Sequence, residues 1–395
     1  DTLEYGRRPR LRNGQSQKNS SPAAMQVCPG IELTRNCDPN TPGLIKELLP
    51  AWGPVLGVWE GYAADPQIRY KGASGGLATS LALYAIEKSG MPGALHIAAR
   101  QDVPYLNQTV FSSSRQSLLA GAGSRYAPAS PCDGLQKIED AAGPCVFIGK
   151  PCDVAAVRKA AVLRPSLGEK IGLTIAFFCA GTPSTQGTLA MLKQMGVENP
   201  ANIRSLRYRG QGWPGMATVE YQDKDGKIRR QQLTYEQSWG DILQKYRQWR
   251  CYICPDHIGE FADIAVADAW HRPVSEHQPG RSVLIARTER GKNFIQKAMH
   301  DDYVKIKAVG ADILPACRPV QAAAQGNLWA RIQTLKACHI PTPDYKGFNL
   351  FALWKSQLTI RQKIHSVVST IKRIFVKRLY QKQSVSSCRL ISFHE

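Results

Sequence analysis

Between residues 55 and 196 the chain alternates short apolar runs with stretches of helical spacing, and this alternation restricts its fold more than any other feature. The runs typical of buried strands are VLGVWEGYA (55–63), ALHIAA (94–99), CVFIG (145–149) and IGLTIAFF (171–178). The stretches with the spacing of helices are SGGLATSLALYAIEKSG (74–90), DVAAVRKAAVL (153–163) and STQGTLAMLKQMG (184–196). Strands that alternate with helices favour a mainly parallel central sheet flanked by helices.

Residues 203–234 have a different texture and predict an added antiparallel β-hairpin region. The runs MATVEYQD (216–223) and KIRRQQLTY (227–235) are joined through Asp225–Gly226, a dipeptide that favours tight hairpin turns. A third run, IRSLRYRG (203–210), precedes them. The predicted fold class therefore lies between α/β and α+β.

Composition divides the chain into three parts. Residues 1–50 are rich in Arg, Asn, Ser, Gln and Pro without periodicity, which predicts an irregular tail. Residues 51–320 form the α/β domain, and residues 321–395 form a basic helical C-terminal extension. Within this extension, IRQKIHSVVSTIKRIFVKRLY (360–380) keeps its apolar residues at helical spacing. Such a helix can contact an anionic membrane or an acidic protein, or it can pack on its own domain with a solvated cationic face.

The formal charge of +20 calls for an anionic partner. No spacing typical of nucleic-acid-binding motifs is present, so we expect an acidic protein, an anionic cofactor or a membrane surface instead. The longest apolar stretch, IGLTIAFFCAG (171–181), is too short to cross a bilayer. Eleven cysteines spread through a long chain favour a reducing compartment. These features predict a cytoplasmic protein, with peripheral membrane contact through the basic helix as an extension of that prediction.

Four cysteines are placed to meet at one edge of the predicted sheet. Cys152 follows the strand 145–149, and Cys179 follows the strand 171–178. In a parallel sheet both residues lie at the carboxyl edge, where ligands gather. Cys251 and Cys254 add a C-x-x-C pair. Four converging thiolates suit tetrahedral zinc or an iron–sulfur cluster.

The sequence separation of these cysteines favours a cluster over a zinc staple. Structural zinc sites usually pair their ligands in local knuckles, whereas Cys152 and Cys179 are single residues far from the C-x-x-C pair. The alternative is that each is a buried, unreactive thiol, which is common for a free cysteine. Cys28, in VCPG, resembles the last ligand of a ferredoxin-type motif, but the upstream C-x-x-C-x-x-C partners are absent from this sequence.

Several motifs taken together resemble a known family. They are YKGASGG (70–76), AGSRYAPA (122–129), FIGKPCD (147–153), FFCAGTPS (177–184), RYRGQGWPG (207–215) and CYICPDHIGEFADIAVADAW (251–270). Over roughly residues 50–320 the chain is similar to the coenzyme F420 hydrogenase/dehydrogenase beta-subunit family, which includes ferredoxin-dependent reductases of chlorophyll-type tetrapyrroles.

The resemblance implies an FAD-dependent oxidoreductase that holds a 4Fe-4S cluster. The cluster ligands would be Cys152, Cys179, Cys251 and Cys254. Electrons from an acidic carrier such as ferredoxin would pass through cluster and flavin to a small organic acceptor as a hydride. The acceptor would be a deazaflavin, a tetrapyrrole or another metabolite. Family members often carry an N-terminal ferredoxin-like segment, of which residues 1–50 would be a remnant.

Three stretches have the chemistry to bind FAD. Ser74–Gly75–Gly76 opens a helix, with Ser74 as its N-cap, and its backbone N–H groups can hold a pyrophosphate. Ordinary capping with close helix packing is the alternative. Gly123, Ser124, Arg125 and Tyr126 combine a cation, a hydroxyl and a ring in one loop. Lys150 can place positive charge beside the flavin N1, unless it is an ordinary surface lysine.

The aspartates of the 251–270 motif leave the catalytic acid unassigned. Asp256 and Asp263 are interpreted as residues that cap turns, and Asp268 as either a turn residue or a partner of flavin or substrate. His257 is interpreted as an unremarkable loop residue. Two alternative functions remain open: a non-catalytic iron–sulfur electron-relay subunit, and a zinc-stapled binding protein.

Overall fold

The computed structural model describes residues 22–274 and 279–381 of the chain. Its helices are α1 (Pro22–Val27), α2 (Leu49–Trp52), α3 (Pro66–Lys71), α4 (Leu77–Glu87), α5 (Arg115–Ala120), α6 (Leu135–Glu139), α7 (Pro151–Leu163), α8 (Pro165–Lys170), α9 (Thr185–Gln194), α10 (Trp249–Tyr252), α11 (Glu289–His300), α12 (Ile313–Cys317), α13 (Gln321–Ala337), α14 (Leu350–Gln357) and α15 (Ile360–Val376). Its strands are β1 (Glu32–Thr34), β2 (Gly57–Ala63), β3 (Ala94–Ala99), β4 (Asn107–Ser112), β5 (Cys145–Gly149), β6 (Ile171–Phe177), β7 (Ile203–Arg207), β8 (Ala217–Gln222), β9 (Ile228–Leu233), β10 (Ile264–Asp268), β11 (Ser282–Ala286), β12 (Val304–Ala308) and β13 (Asp344–Lys346). Short 3-10 turns and a π-helix at Glu236–Ile242 complete the described elements.

Eight strands form the central sheet in the order β12-β2-β11-β10-β6-β5-β3-β4. The middle strands β10, β6, β5 and β3 pair in parallel. Antiparallel strands extend the sheet on both sides, β11, β2 and β12 on one side and β4 on the other. The prediction of a mainly parallel central sheet flanked by helices is confirmed.

Both faces of the parallel strands are buried, which explains their continuous apolar sequences. Alternate residues belong to opposite cores because successive side chains of a strand point to opposite faces. Ile148 and Ile175 pack in the core that includes Leu81 of α4 and Ile295 of α11. Phe147 belongs to the opposite core, with Val154 and Val157 of α7.

The predicted hairpin region is a separate antiparallel sheet with the order β7-β8-β9. Gly226 has a φ of 78°, and its N–H donates to the Asp223 carbonyl at 3.1 Å, which closes the turn between β8 and β9. Val219 packs with Met191 of α9, Tyr208 and Trp239. The added sheet therefore has its own core.

The expectation of an irregular tail over residues 1–50 does not fit the part that the structure describes. Strand β1 pairs in parallel with β13, so that Leu33 lies opposite Tyr345, and Leu33 is buried. Lys159 of α7 donates to the Glu32 carbonyl at 2.7 Å. The contacts that order residues 32–34 come from parts of the chain far away in sequence, so they leave no local periodicity. Residues 1–21 lie outside the described residues.

The C-terminal part is helical, and its helix α13 packs against the α/β domain. Leu328 and Leu335 of α13 are fully buried, and the Gln325 side chain donates to the Pro255 carbonyl at 3.2 Å. Helix α15 does not pack its apolar side on the protein, because Ile364 and Phe375 are 59% and 65% exposed. None of the described helices combines the length and the apolar character needed to cross a bilayer.

Candidate functional site

A cavity of about 290 Å³ opens at the carboxyl edge of the parallel strands. Its wall includes the ends of β5, β6 and β10 and the residues that follow them, among them Lys150, Cys179 and Asp268. Parallel strands end at the same edge, so the chain segments that leave them meet there. The expectation that the residues after β5 and β6 meet at one edge of the sheet is therefore met.

Seven of the eight residues predicted to bind the cofactor line this cavity. They are Ser74, Gly76, Gly123, Ser124, Arg125, Tyr126 and Lys150. Gly75 is not part of the cavity wall. Its N–H donates to the Ser282 hydroxyl at 2.8 Å, and its carbonyl accepts from Ala63 N at 2.7 Å. Gly75 therefore fixes the 72–76 loop to strands β2 and β11.

The N-terminus of α4 forms part of the cavity wall. Leu77, Ala78 and Thr79 of its first turn line the cavity, and Gly76 precedes them with a φ of 74°. The prediction of Ser74 as the N-cap is wrong, because its hydroxyl lies 2.7 Å from that of Ser282 and no side chain caps α4. An uncapped helix N-terminus offers backbone N–H donors and partial positive charge to an anion.

Gly76 is required by both conformation and space. Its positive φ disfavours any residue with a side chain. A Cβ at this position would also lie 2.8 Å from the Ile68 carbonyl oxygen. A larger residue would force the first turn of α4 to move.

Arg125 lines the cavity, but oxygens of the protein engage its guanidinium. Its guanidinium donates to Asn107 Oδ1 at 2.7 Å and to the carbonyls of Leu206 at 2.8 Å and Pro104 at 2.7 Å. Burial lowers its pKa. Its nitrogens are engaged by protein oxygens, so Arg125 ties the 123–126 loop to β7 and leaves Tyr126 to face the cavity.

Lys150 lines the cavity as one of a charged pair. Its ammonium lies 2.6 Å from Asp153 Oδ2, and its side chain is a quarter exposed. Burial acts to lower the pKa of Lys150, but the Asp153 carboxylate, together with charges on Cys152 and Cys179, raises this pKa. Lys150 therefore carries a positive charge between the cavity and Cys152.

A buried ion pair that the sequence analysis did not assign also lines the cavity. Arg209 donates to both carboxylate oxygens of Asp268, at 3.0 and 2.7 Å, and to the Ala73 carbonyl at 2.7 Å. Trp213 Nε1 donates to the same carboxylate at 2.9 Å. Burial acts to lower the pKa of Arg209, but Asp268 raises it. Arg209 lies in the RYRGQGWPG motif. An arginine within this glycine-rich motif was the sequence signal that could have identified it as a site residue.

Aromatic rings form one side of the cavity. Tyr235 and Trp270 have ring centroids 5.2 Å apart, and Tyr126 and Trp239 are 4.7 Å apart. The Arg209 guanidinium lies 4.9 Å from the Tyr235 ring centroid. Flat rings of this kind suit a planar ligand.

Cys317, which the sequence analysis did not single out, also lines the cavity. His271 Nδ1 lies 2.9 Å from its sulfur, and burial raises the pKa of the thiol to about 11. The pair is therefore neutral near pH 7, and it can hold a proton at the cavity wall.

The four cysteines predicted as ligands come within electrostatic range of one another beside the cavity. Burial raises the pKa of Cys179 to about 11 and that of Cys254 to about 12, and it raises that of Cys152 well above 9.0. Charges on Cys179 and Cys254 add to the shift of Cys152. A charge on Cys251 adds to those of Cys179 and Cys254. Thiolates here need compensating positive charge.

The backbone around two of the sulfurs supplies donors. Gly181 N–H donates to Cys179 Sγ at 3.4 Å, and Thr182 N–H donates to Cys251 Sγ at 3.3 Å. Gly181 has a φ of 112°, and a Cβ there would lie 3.2 Å from the Cys251 Cβ. Donors of this kind stabilise thiolates, so the 179–182 loop offers two N–H donors to sulfur ligands.

The thiols are not arranged around a single ion. Among residues 22–274 and 279–381, no three or more side chains are grouped as ligands of one metal ion. A single ion must bond all of its ligands at once, whereas each cysteine of a four-iron cluster binds its own iron atom. A wider spacing is thus compatible with a cluster, and the cluster itself remains a prediction.

The remaining residues of the 251–270 motif are structural. Asp256 accepts from the N–H groups of Ile258 and Gly259 at 2.9 and 2.8 Å, and Asp263 accepts from Thr174 N–H at 2.9 Å. His257 donates from Nδ1 to the Cys179 carbonyl at 2.9 Å, and burial lowers its pKa to about 3. His257 therefore holds the Cys179 loop as a neutral residue.

Cys28 lies behind the C-x-x-C pair. A Cβ on Gly30 would lie 3.2 Å from Cys28 Sγ and 3.0 Å from Arg250 Nε, which places the thiol beside the Arg250 side chain. Arg250 also donates to the Pro29 carbonyl at 2.6 Å. The VCPG segment is therefore packed against the cysteine site.

Comparison with known proteins identifies the family. Residues 58–137 match the family model for the N-terminal part of the coenzyme F420 hydrogenase/dehydrogenase beta subunit, and residues 144–312 match the model for its C-terminal part. Together these matches cover more than half of the chain. The chain belongs to the coenzyme F420 hydrogenase/dehydrogenase beta-subunit family.

Individual members of this beta-subunit family show how distant the relationship is. The chain is 22% identical over 263 residues to the coenzyme F420 hydrogenase subunit beta of Methanosarcina barkeri, covering 64% of this chain and 83% of that protein. It is 28% identical over 248 residues to a subunit beta of an F420-dependent formate dehydrogenase of Methanococcus maripaludis, covering 62% and 60% of the two chains.

A solved structure of the F420-reducing [NiFe] hydrogenase complex from Methanosarcina barkeri contains a similar fold. The TM-score is 0.54 at 22% sequence identity, over 71% of this chain and 93% of that chain. The two beta-subunit family models divide the cavity between them, because Gly76 and Tyr126 fall in the first, and Lys150 and Arg209 in the second. Cys317 and helices α13 to α15 lie beyond both matches.

Proposed function

We propose that this family member is an FAD- and 4Fe-4S-dependent oxidoreductase that passes electrons from an acidic protein carrier to a small organic acceptor. One observation carries the proposal: the loop that follows β6 forms both the wall of the cavity and one side of the cysteine group. Cys179, Gly181 and Thr182 line the cavity, while Thr182 N–H donates to Cys251 Sγ. A ligand in the cavity and a group held by the cysteines would be neighbours.

The cavity has the parts needed to hold FAD. The N-terminus of α4 offers donors for the pyrophosphate, and Gly76 and Gly123 allow its close approach. Tyr235 and Trp270 offer flat surfaces for a ring system, and the Lys150 ammonium offers an N–H donor. FAD, when bound, supplies hydride chemistry. The protein's part is to orient it.

The cysteine group has the parts needed to hold a cluster. Besides the N–H donors to Cys179 and Cys251, cations lie close to the sulfurs. Charges on Cys152 and Cys179 raise the pKa of Lys150, and charges on Cys179 and Cys254 act on Arg318 in the same direction. Thiolates that bind a cluster in this group would therefore have positive charges nearby. A cluster, when bound, supplies one-electron chemistry.

The surface over the C-x-x-C pair suits an acidic electron carrier. The guanidinium groups of Arg247 and Arg373 lie 4.7 and 4.8 Å from the ring centroid of Tyr252, next to Cys251. Arg331 donates to the Tyr252 carbonyl at 2.7 Å. A cationic surface at this point attracts a negatively charged protein such as ferredoxin and speeds its association.

For the organic acceptor, the deazaflavin coenzyme F420 is the first candidate, since the relatives named above carry it in their names. It is planar, which matches the rings of the cavity wall. A tetrapyrrole or another metabolite is the alternative. Cys317, with His271 behind it, is available to hold a proton for the reaction.

Anaerobic purification tests the proposal directly. We expect a visible spectrum with flavin and broad iron–sulfur absorption, iron and sulfide in equal amounts, and FAD by mass spectrometry of the released cofactor. Titration of the reduced protein with coenzyme F420 or a tetrapyrrole then identifies the acceptor. Iron without flavin would favour the electron-relay subunit, and zinc without iron would favour the zinc-stapled binding protein.

A further inference from the structure

Helix α15 presents its apolar side to solvent. Ser366, Thr370 and Ile374 form its buried face. The apolar residues on its outer side, 37% to 76% exposed, are Ile360, Ile364, Val367, Val368, Ile371 and Phe375. Helices of soluble proteins direct their apolar stripe toward the core. This arrangement is the reverse, so the outer stripe needs a partner.

The outer stripe is continuous along the whole helix. Its members recur at intervals of three or four residues from Ile360 to Phe375, which keeps them on one side. At the rise of an α-helix, this span is about 22 Å long. The stripe is therefore narrow and straight.

Exposed cations border the stripe on one side. The helical spacing places Arg361 and Lys372 along this edge, whereas Lys363 lies on the side that faces the protein. The sequence has no Asp or Glu from residue 345 to residue 394. Lys363 is held in place, since it donates to the Lys355 carbonyl at 2.9 Å.

We propose that this face of α15, residues 360–375, docks on an anionic lipid bilayer, with the helix axis parallel to the membrane surface. The apolar stripe enters the boundary between headgroups and acyl chains, and the flanking cations contact lipid phosphates. A flat bilayer receives an exposed stripe without a matching groove. This proposal is independent of the function proposed above.

Charge argues against other occupants of the stripe. A second copy of the chain would bring the same cations against Arg361 and Lys372. Residues 382–395 carry Lys382 and Arg389 against Glu395, so they do not supply the missing negative charge. An anionic bilayer supplies both apolar and negatively charged contacts.

Flotation of the full chain with lipid vesicles tests the proposal. We expect flotation with vesicles of phosphatidylcholine containing phosphatidylglycerol, and little with phosphatidylcholine alone. The double variant Ile364→Glu/Ile371→Glu should lose binding. The double variant Arg361→Gln/Lys372→Gln should weaken it by roughly 30-fold, equivalent to about 1 kcal/mol for each cation. Val162→Glu, which changes an 80% exposed apolar residue on α7, is the matched control and should bind like the unaltered chain.

Three results would overturn the proposal. One is equal binding to neutral and anionic vesicles at all salt concentrations. Another is undiminished flotation of both double variants. The third is failure to float combined with a dimer, or a complex with an acidic protein, that Ile364→Glu/Ile371→Glu dissociates. All substituted residues are exposed, so loss of folding does not obscure the outcome, and circular dichroism checks this.

Discussion

Single residues around the sulfurs separate the proposed ligands from the other thiols. Cys179 and Cys251 receive backbone N–H donors and lie near cations, whereas Cys338 is exposed. A thiolate is stabilised only where such donors and charges meet it. The microenvironment of each sulfur therefore decides which cysteines can bind iron.

Replacing one ligand should remove the cluster. We expect Cys179→Ser, purified without oxygen, to lose most of its iron and its broad visible absorption, because a serine hydroxyl does not replace a thiolate. Cys338→Ser is the matched control and should keep both. Iron content by plasma emission spectrometry is the measurement, and unchanged iron in Cys179→Ser would remove Cys179 from the ligand set.

The buried pair of Arg209 and Asp268 should contribute to both stability and cofactor retention. Asp268→Asn leaves the Arg209 charge buried without its counterion, which should lower the free energy of unfolding by about 3 kcal/mol and reduce bound flavin. Asp223→Asn breaks a solvent-screened surface pair with Arg229 and should lower the free energy of unfolding far less. Urea unfolding and flavin absorbance measure the two effects. Equal costs for the two variants would contradict this role.

His96, in the cavity wall, should make stability depend on pH. Burial lowers its pKa below 6.5 in the folded state, so the unfolded chain binds the proton more readily. Stability from His96 is therefore present above about pH 6.5 and falls as the pH drops, by at most about 1.4 kcal/mol for each pH unit. His96→Gln should show a shallower fall in urea unfolding between about pH 6.5 and pH 5. The same slope in both proteins would exclude His96 as the cause.

At the scale of elements, the N-terminus of α4 links the fold to the proposed cofactor site. The helix starts after Gly76, and its first turn forms part of the cavity wall. Moving this turn changes the position of the N–H donors. The helix as a whole is held by the core, where Leu81 is fully buried, so a local shift need not unfold it.

Substitution of the glycine before α4 should weaken flavin binding more than folding. Gly76→Ala places a Cβ 2.8 Å from the Ile68 carbonyl, which displaces the first turn. We expect at least about a tenfold loss of flavin affinity, equivalent to about 1.4 kcal/mol. Gly90→Ala has a similar φ of 69° but open space around it, so it controls for backbone strain. Flavin titration of the apoprotein separates the two, and equal affinities would contradict the role of this turn.

At the scale of the whole molecule, the cationic side chains behind the net charge of +20 are unevenly distributed. Arg247, Arg331 and Arg373 gather around Tyr252, and the cations of α15 border its apolar stripe. The molecule thus has two cationic surfaces with different neighbours. One adjoins the cysteine group, and the other adjoins exposed apolar side chains.

Delivery of electrons should depend on ionic strength. Arg247→Gln removes one charge beside Tyr252 and should slow reduction by an acidic ferredoxin severalfold at low salt, with a smaller difference at high salt. Lys307→Gln, at the far edge strand β12, removes the same charge elsewhere and should have little effect. Stopped-flow reduction of the protein is the measurement. Salt-independent rates would contradict docking at this surface.

The sequence by itself determined the features that depend on neighbouring residues. The alternation of strands and helices, the Asp225–Gly226 turn, and the position of Cys152 and Cys179 after their strands are local patterns, and the structure has all of them. Local patterns suffice because the periodicity of side chains and the conformational preferences of glycine act over a few residues. Cys152 and Cys179 then lie at the same edge of the sheet, because their strands are parallel.

Only the tertiary structure decided how the charged groups of the cavity wall are paired. The Leu206 carbonyl, 81 residues away, engages Arg125, and Arg209 pairs with Asp268, 59 residues away. Likewise, β1 is ordered by β13 near the other end of the chain. The apolar spacing of α15 predicted a helix but not the direction of its stripe. Such outcomes depend on contacts between segments far apart in sequence, and the periodicity of one segment carries no information about its neighbours in space.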